Sequence, residues 1–281
     1  MNDRLQGIGM LHTMRRLARL DEGGLAEVVN RLDEVRRLLF RGDRLRIVIT
    51  CEESMVQPLE ELLTGLVTSL PGDGHVEKSV RLEALERAPE ARTAPVPVAF
   101  NVRIFKTVRF THADAPALLV LANYLRDTFL HRELREKGGA YGAYAQAGVG
   151  SGTFYFGSYR DPNITRTYDV FDQAVRWVTE GAIEDEALKE AILGACGDVD
   201  PLESPDIKAR REATNRATGF TRQAREVFKK RLLQVTASDL KRVTTAYLYG
   251  APAVQTTVAG ADLVEAARKE RPGLFEVVAA V

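Results

Sequence analysis

The chain has 281 residues, 45% of them apolar, and its 39 lysines and arginines are balanced by 39 aspartates and glutamates. That is length for one large or two ordinary domains and apolar content for a core without disulfides, while zero net charge argues against a nucleic-acid binder. No apolar run approaches a membrane span, the first ten residues lack the apolar centre of a signal peptide, and Cys51 and Cys196 carry no spacing signature, so the chain reads as a reduced, cytoplasmic protein.

Residues 3–20 and 24–40 read as two helices broken at Gly23-Gly24. Leu25, Val28, Leu32, Val35, Leu38 and Leu39 stripe the second at helical spacing. Residues 45–51 (LRIVITC) alternate and are β-branched, the pattern of a strand. A helix follows over 55–70 and stops at Pro71-Gly72. A lone strand cannot satisfy its own backbone, so 45–51 needs sheet partners from elsewhere. Residues 88–98, with Pro89, Pro95 and Pro97, read as a linker between a partial α+β domain (1–87) and a complete one (99–281).

The second domain opens with a strand over 98–110. A helix over 115–137 carries Leu118, Leu121, Leu125 and Phe129 on one face and stops at Gly138. Residues 141–149 and 153–160 form a hairpin through Gly150-Ser151-Gly152. Asp161-Pro162-Asn163 turns into a helix striped by Tyr168, Phe171, Val175 and Val178 and ended at Gly181. Helices follow over about 184–196, 205–219, 221–233 and 237–248. Residues 252–259 read as a strand, with 274–278 a candidate for another. Hairpin strands beside a block of consecutive helices indicate an α+β fold.

The most informative stretch is LREKGGAYG (134–142). Arg135 closes the helix, two glycines turn the chain, and Tyr141 opens a strand. Two hydrogen-bond donors at one corner suit a negative charge developing on an oxygen. Gly138 and Gly139 would let a substrate backbone approach closely. Equally, an arginine in a helix's last turn favours the helix dipole, and a tyrosine at a strand start is ordinary packing. On the residues alone the structural reading is the stronger.

Other motifs fall away. Gly148-x-Gly150-x-Gly152 lacks the dinucleotide spacing and leads into a strand, and Lys137-Gly138-Gly139 lacks the flanking pattern of a phosphate loop. His12, His75, His112 and His131 share no helical turn, and neither His-Glu-x-x-His nor His-x-x-Glu-His occurs. Glu133 and Glu136 follow His131, but Glu133 points to a different helix face and no second nitrogen or sulfur ligand is near, so no metal is assigned. Ser151, Ser158 and Ser204 have no nucleophile-elbow context.

Three strings in order carry a resemblance: LREKGGAYG (134–142), FGSYRDPN (156–163) and DPLESPDIKARR (200–211), the last followed by Thr236-x-x-Asp239-Leu240 and Tyr247-Leu248. Together they resemble the C-terminal half of the pitrilysin/insulinase family of zinc metallopeptidases, in its presequence protease branch. The match covers residues 95–265 and, more loosely, 1–85.

The resemblance implies four related α+β domains in two bowl-shaped halves around a chamber for short unfolded peptides. The N-terminal half would carry the zinc and its His-x-x-Glu-His motif. This chain would be the latter part of the third domain with a complete fourth, and Arg135 and Tyr141 would face the substrate across the chamber. On that reading zinc is the cofactor of the complete enzyme, this chain alone binds none, and it cleaves nothing without a zinc-bearing N-terminal half or partner subunit. The absent half leaves three readings: a fragment of a larger enzyme, a subunit of a two-chain enzyme, or a non-catalytic relative. A non-catalytic peptide-binding or scaffold subunit, holding an extended peptide on an exposed strand edge, is the alternative from a different class. Self-association through 45–51 is a third.

Overall fold

The computed structural model describes residues 7–72 and 88–281. Contacts divide the chain into two units, one of residues 1–83 with 205–210 and one of 84–204 with 211–281. The expected helix start at residue 3 and His75 lie outside the described residues.

In the smaller unit, helices α1 (Ile8–Leu17), α2 (Glu22–Leu39) and α3 (Val56–Ser69) form where periodicity predicts them. Asp21 caps α2 by accepting from the Gly24 amide at 2.8 Å, which satisfies one of the orphan donors of the first turn. The expected strand at 45–51 does not form. These residues are irregular, and Leu45, Ile47, Val48 and Ile49 are all exposed. The physical reason is the one the sequence raised: a strand exists by pairing, and the described residues of this unit supply no second strand.

The larger unit is built on a six-stranded sheet, β1 (Glu90–Thr93), β2 (Ala99–Lys106), β3 (Gly142–Gly148), β4 (Thr153–Asp161), β5 (Ala253–Ala259) and β6 (Val277–Ala280), in the order β3-β4-β2-β5-β1-β6. The β3–β4 hairpin forms as predicted, and β2 pairs antiparallel with both β4 and β5. Strand β1 lies inside the expected linker and pairs in parallel with β5 and β6, some 160 residues or more later in register, from Glu90↔Thr256 to Thr93↔Ala280. Pro89, Pro95 and Pro97 flank it, where a missing amide breaks no ladder bond. Pro89 in turn contributes its carbonyl, which accepts from Glu276 N at 2.8 Å.

Helix α4 (Ala115–Leu125) buries all eleven of its residues and continues as a π-helical stretch over Arg126–Glu136. A helix apolar all round must be enclosed. Here β3 covers one side, while α6 (Asp185–Val199), α8 (Arg222–Leu232) and α9 (Ala237–Tyr247) cover the others. Helix α5 (Thr165–Glu180) sets its predicted stripe into the core, where the Phe171 ring stacks on Phe156 at 5.2 Å and Tyr168 meets Phe171 edge-on. Between α6 and α8 lies α7 (Pro205–Thr218), ended by Gly219 at φ +83°. Thr236 and Asp239 form a reciprocal capping box at the start of α9. A last helix, α10 (Ala261–Glu270), occupies residues the periodicity left unassigned, and the final strand begins at Val277 rather than Leu274. Helices over a mixed sheet give the α+β architecture expected.

Candidate functional site

The Arg135–Tyr141 corner is built by unusual backbone. Over Arg126–Glu136 the bonding widens to i→i+5, a form that recurs at functional sites. The Lys137 amide continues it by donating to Arg132 O at 3.0 Å. A Cβ on Gly138 would sit 2.5 Å from the Leu134 carbonyl oxygen, and Gly139 has φ +79°. Both glycines, expected as substrate contacts, thus have a local reason to be glycine. The Ala140 amide then closes the turn on Leu134 O at 2.9 Å, and the Tyr141 amide donates to Tyr159 O at 3.1 Å.

The second string holds the corner from below. Asp161 is 1% exposed; its carboxylate accepts from the Asn163 amide at 2.8 Å and from Thr167 Oγ1 at 2.6 Å. Asn163 Nδ2 donates to Gly138 O at 2.8 Å, and Arg166 donates to Lys137 O at 3.0 Å and to Glu133 O at 3.4 Å. Asn101 extends the network, donating to Ser158 Oγ and Asn163 O and accepting from Thr257 Oγ1. Buried polar groups joined this completely fix one geometry.

This arrangement bears on Arg135. Arg166 takes the Lys137 and Glu133 carbonyls and Asn163 that of Gly138, and Arg135 bonds to none of them. Its neighbours are engaged too. Lys137 and Arg132 both pair with Glu133, and the Lys137 hydrogen bond leads in holding the Glu133 carboxyl below its usual range. The Arg135 guanidinium has no hydrogen bond or ion pair among the described residues; it is exposed and lines an open depression of about 350 Å³ with His131, Glu136 and Ala140. Tyr141 is 68% exposed, its ring 6.1 Å from that of Tyr159. Its hydroxyl likewise has no partner among the described residues. The two predicted residues therefore stand at the surface on either side of one glycine turn. No contact joins them, and Tyr141 does not line the depression.

Two features were not readable beforehand. Arg160 has φ +48°, a left-handed backbone that a non-glycine residue seldom adopts, and its guanidinium lies 5.4 Å over the Tyr159 ring. No sequence signal marks such a residue. Asn163 as the tie to Gly138 had a partial signal in the Asp-Pro-Asn turn, but the partner 25 residues away did not. The third string serves packing: Asp200 pairs with Lys229, and Arg211 pairs with Glu203 at 2.9 Å while donating to Val199 O at 3.1 Å. Among the described residues no group of three or more His, Cys, Asp or Glu could hold a metal, and no helix is long and apolar enough to cross a membrane.

Comparison with known proteins places the chain in a family. The family described as PreP C-terminal domain matches residues 98–248, more than half of the chain. The mitochondrial presequence protease of Danio rerio is 30% identical over 272 residues, covering 88% of this chain and 26% of its own length. That of Yarrowia lipolytica is 32% identical over 251 residues, covering 88% and 25%. The chain thus spans about a quarter of the length of these relatives. The crystal structure of pitrilysin shares the fold with a TM-score of 0.53 at 11% identity, over 73% of this chain and 23% of that one. One expectation is overturned. The relatives are named mitochondrial, which conflicts with a cytoplasmic placement, and a missing signal in the first ten residues says little when the chain matches only part of each relative. The chain belongs to the presequence protease family, matching the C-terminal domain of its members, and has a pitrilysin-like fold.

Proposed function

We propose that this chain is part of the substrate-facing, metal-free half of a zinc-dependent endopeptidase acting on short unfolded peptides, in which Arg135 and Tyr141 donate hydrogen bonds to the peptide. The observation that carries this is the pair of unengaged donors flanking a turn whose own carbonyls are satisfied by Asn163 and Arg166. A donor left free in a network this complete is available to a ligand oxygen. In the complete enzyme the Tyr141 hydroxyl and the Arg135 guanidinium would face the scissile carbonyl, or one next to it, as charge builds on its oxygen. Gly138 and Gly139 keep side chains out of the approach. Zinc, by the family resemblance, belongs to the N-terminal half; the described residues of this chain offer no ligand set for it.

The test is to combine this chain with a zinc-bearing N-terminal half and measure peptide turnover. Tyr141→Phe is expected to lower kcat about a hundredfold to a thousandfold, with the melting temperature of this chain unchanged. Arg135→Lys is expected to lower it too, because an ammonium cannot reproduce the planar fork. Full activity in both variants would overturn the reading. A second reading, a peptide-binding subunit without hydrolysis, is favoured by the outer edge of β3, which pairs with no strand among the described residues; peptide bound but never cleaved in the combined protein would select it.

A further inference from the structure

We propose that the cleft along the outer edge of β3 is a peptide subsite, in which an extended peptide joins the sheet as a seventh strand. The inference rests on the corner being substrate-facing and adds where the rest of the peptide lies.

Strand β3 stands at the end of the sheet order, paired with β4 on one side and with no strand on the other among the described residues. Such an edge presents unpaired main-chain donors and acceptors, which proteins usually protect with proline, lysine or inward charge. The sequence of β3, GAYAQAG, has none of these. Its seven residues extend about 24 Å at 3.4 Å each, and they begin one residue after Tyr141.

A cleft of about 620 Å³ lies against this edge. Tyr144 to Ala147 of β3 form one wall, and Asn123 and Arg126 of the central helix line it too. Pro201 and Phe220, from the block of outer helices and their connections, also line it.

The wall also selects the occupant. A row of main-chain groups is matched by another extended main chain, and side-chain pockets beside it set any preference. The lining mixes Arg126, Arg211 and Arg225 with Asp198 and Glu203, so no single peptide charge is demanded. The subsite is therefore one for unfolded peptides of varied sequence.

The test uses the whole chain and an acetylated, amidated, unstructured peptide of about eight Ser, Thr, Val and Gln residues, at millimolar concentration. Bound peptide is expected to slow amide exchange across residues 142–148 by about fivefold or more. Two further peptides, N-methylated on alternate residues in opposite phase, separate main-chain pairing from any other contact. One phase faces β3 and should bind at least about tenfold more weakly, while the other stays within about twofold. Equal binding by both phases, or no slowing at 142–148, overturns the subsite. So does slowing that appears without peptide and grows with protein concentration, which assigns the edge to a second copy of this chain. The two readings fail separately: protection at β3 with a fully active Tyr141→Phe enzyme keeps the subsite and removes the corner, and the converse keeps the corner and removes the subsite.

Discussion

The two units put similar apolar patterns to opposite ends. In the larger unit helix α4 buries every residue and α5 buries its predicted stripe. In the smaller unit none of the described helices buries a residue, and Leu25, Leu32, Val35 and Leu39 of the α2 stripe stand 45% exposed or more. Periodicity makes a helix, but only a facing surface makes a core. Residues 45–51 repeat the point for a strand: the alternation is there and the partner is not. The larger unit should therefore respond to substitution as a packed domain, and the smaller should not.

The largest contrast is expected from truncating matched apolar residues. Phe156, fully buried against Phe105, Phe154 and Phe171, should cost about 3–5 kcal/mol as Phe156→Ala. Leu32, 62% exposed, should change stability by less than about 0.5 kcal/mol as Leu32→Ala. Urea midpoints of the two variants measure this, and a large loss from Leu32→Ala would break the comparison. Next comes the support of the corner. Asn163→Ala removes the bond to Gly138 O and one to Asp161, and should cost about 1–3 kcal/mol. It should also speed amide exchange at Gly139 and Ala140, which no variant in the smaller unit should do.

The smallest effect concerns pH. Asp114, at the start of α4, loses some of its acidity to burial. The Tyr247 hydroxyl at 2.8 Å and the Arg242 guanidinium at 2.7 Å outweigh that and hold its carboxyl below the usual 3.8. A depressed folded value means the contribution is complete above 3.8 and is lost as pH falls through the lower folded value. Tyr247→Phe weakens the hold and should raise the acid-unfolding midpoint of the larger unit by about half a pH unit. The same bond and burial push the Tyr247 phenol up to about 12, so its proton stays in place at neutral pH. No acid shift in Tyr247→Phe would show that the link from α4 to α9 carries no stability.

Much of the larger unit was legible because its signals are local. The hairpin announced itself at Gly150-Ser151-Gly152, and α5 by its stripe and by Gly181. What escaped was non-local. Strand β1 exists because β5 and β6 return beside it, and no pattern within 88–98 says so. The π-helical stretch, the left-handed Arg160 and the Asn163 tie depend on how segments meet rather than on what each prefers. The corner itself was readable as a pair of residues in a string. That its donors are spare follows only from seeing what Arg166, Asn163 and Glu133 bind.

The most direct measurement of the central claim is single-turnover cleavage of a peptide by the combined enzyme carrying Tyr141→Phe in this chain. The account predicts a chemical step slowed about a hundredfold to a thousandfold with substrate binding and melting temperature nearly unchanged. A rate within about twofold of the unsubstituted enzyme, or a loss fully matched by lost stability, would contradict it.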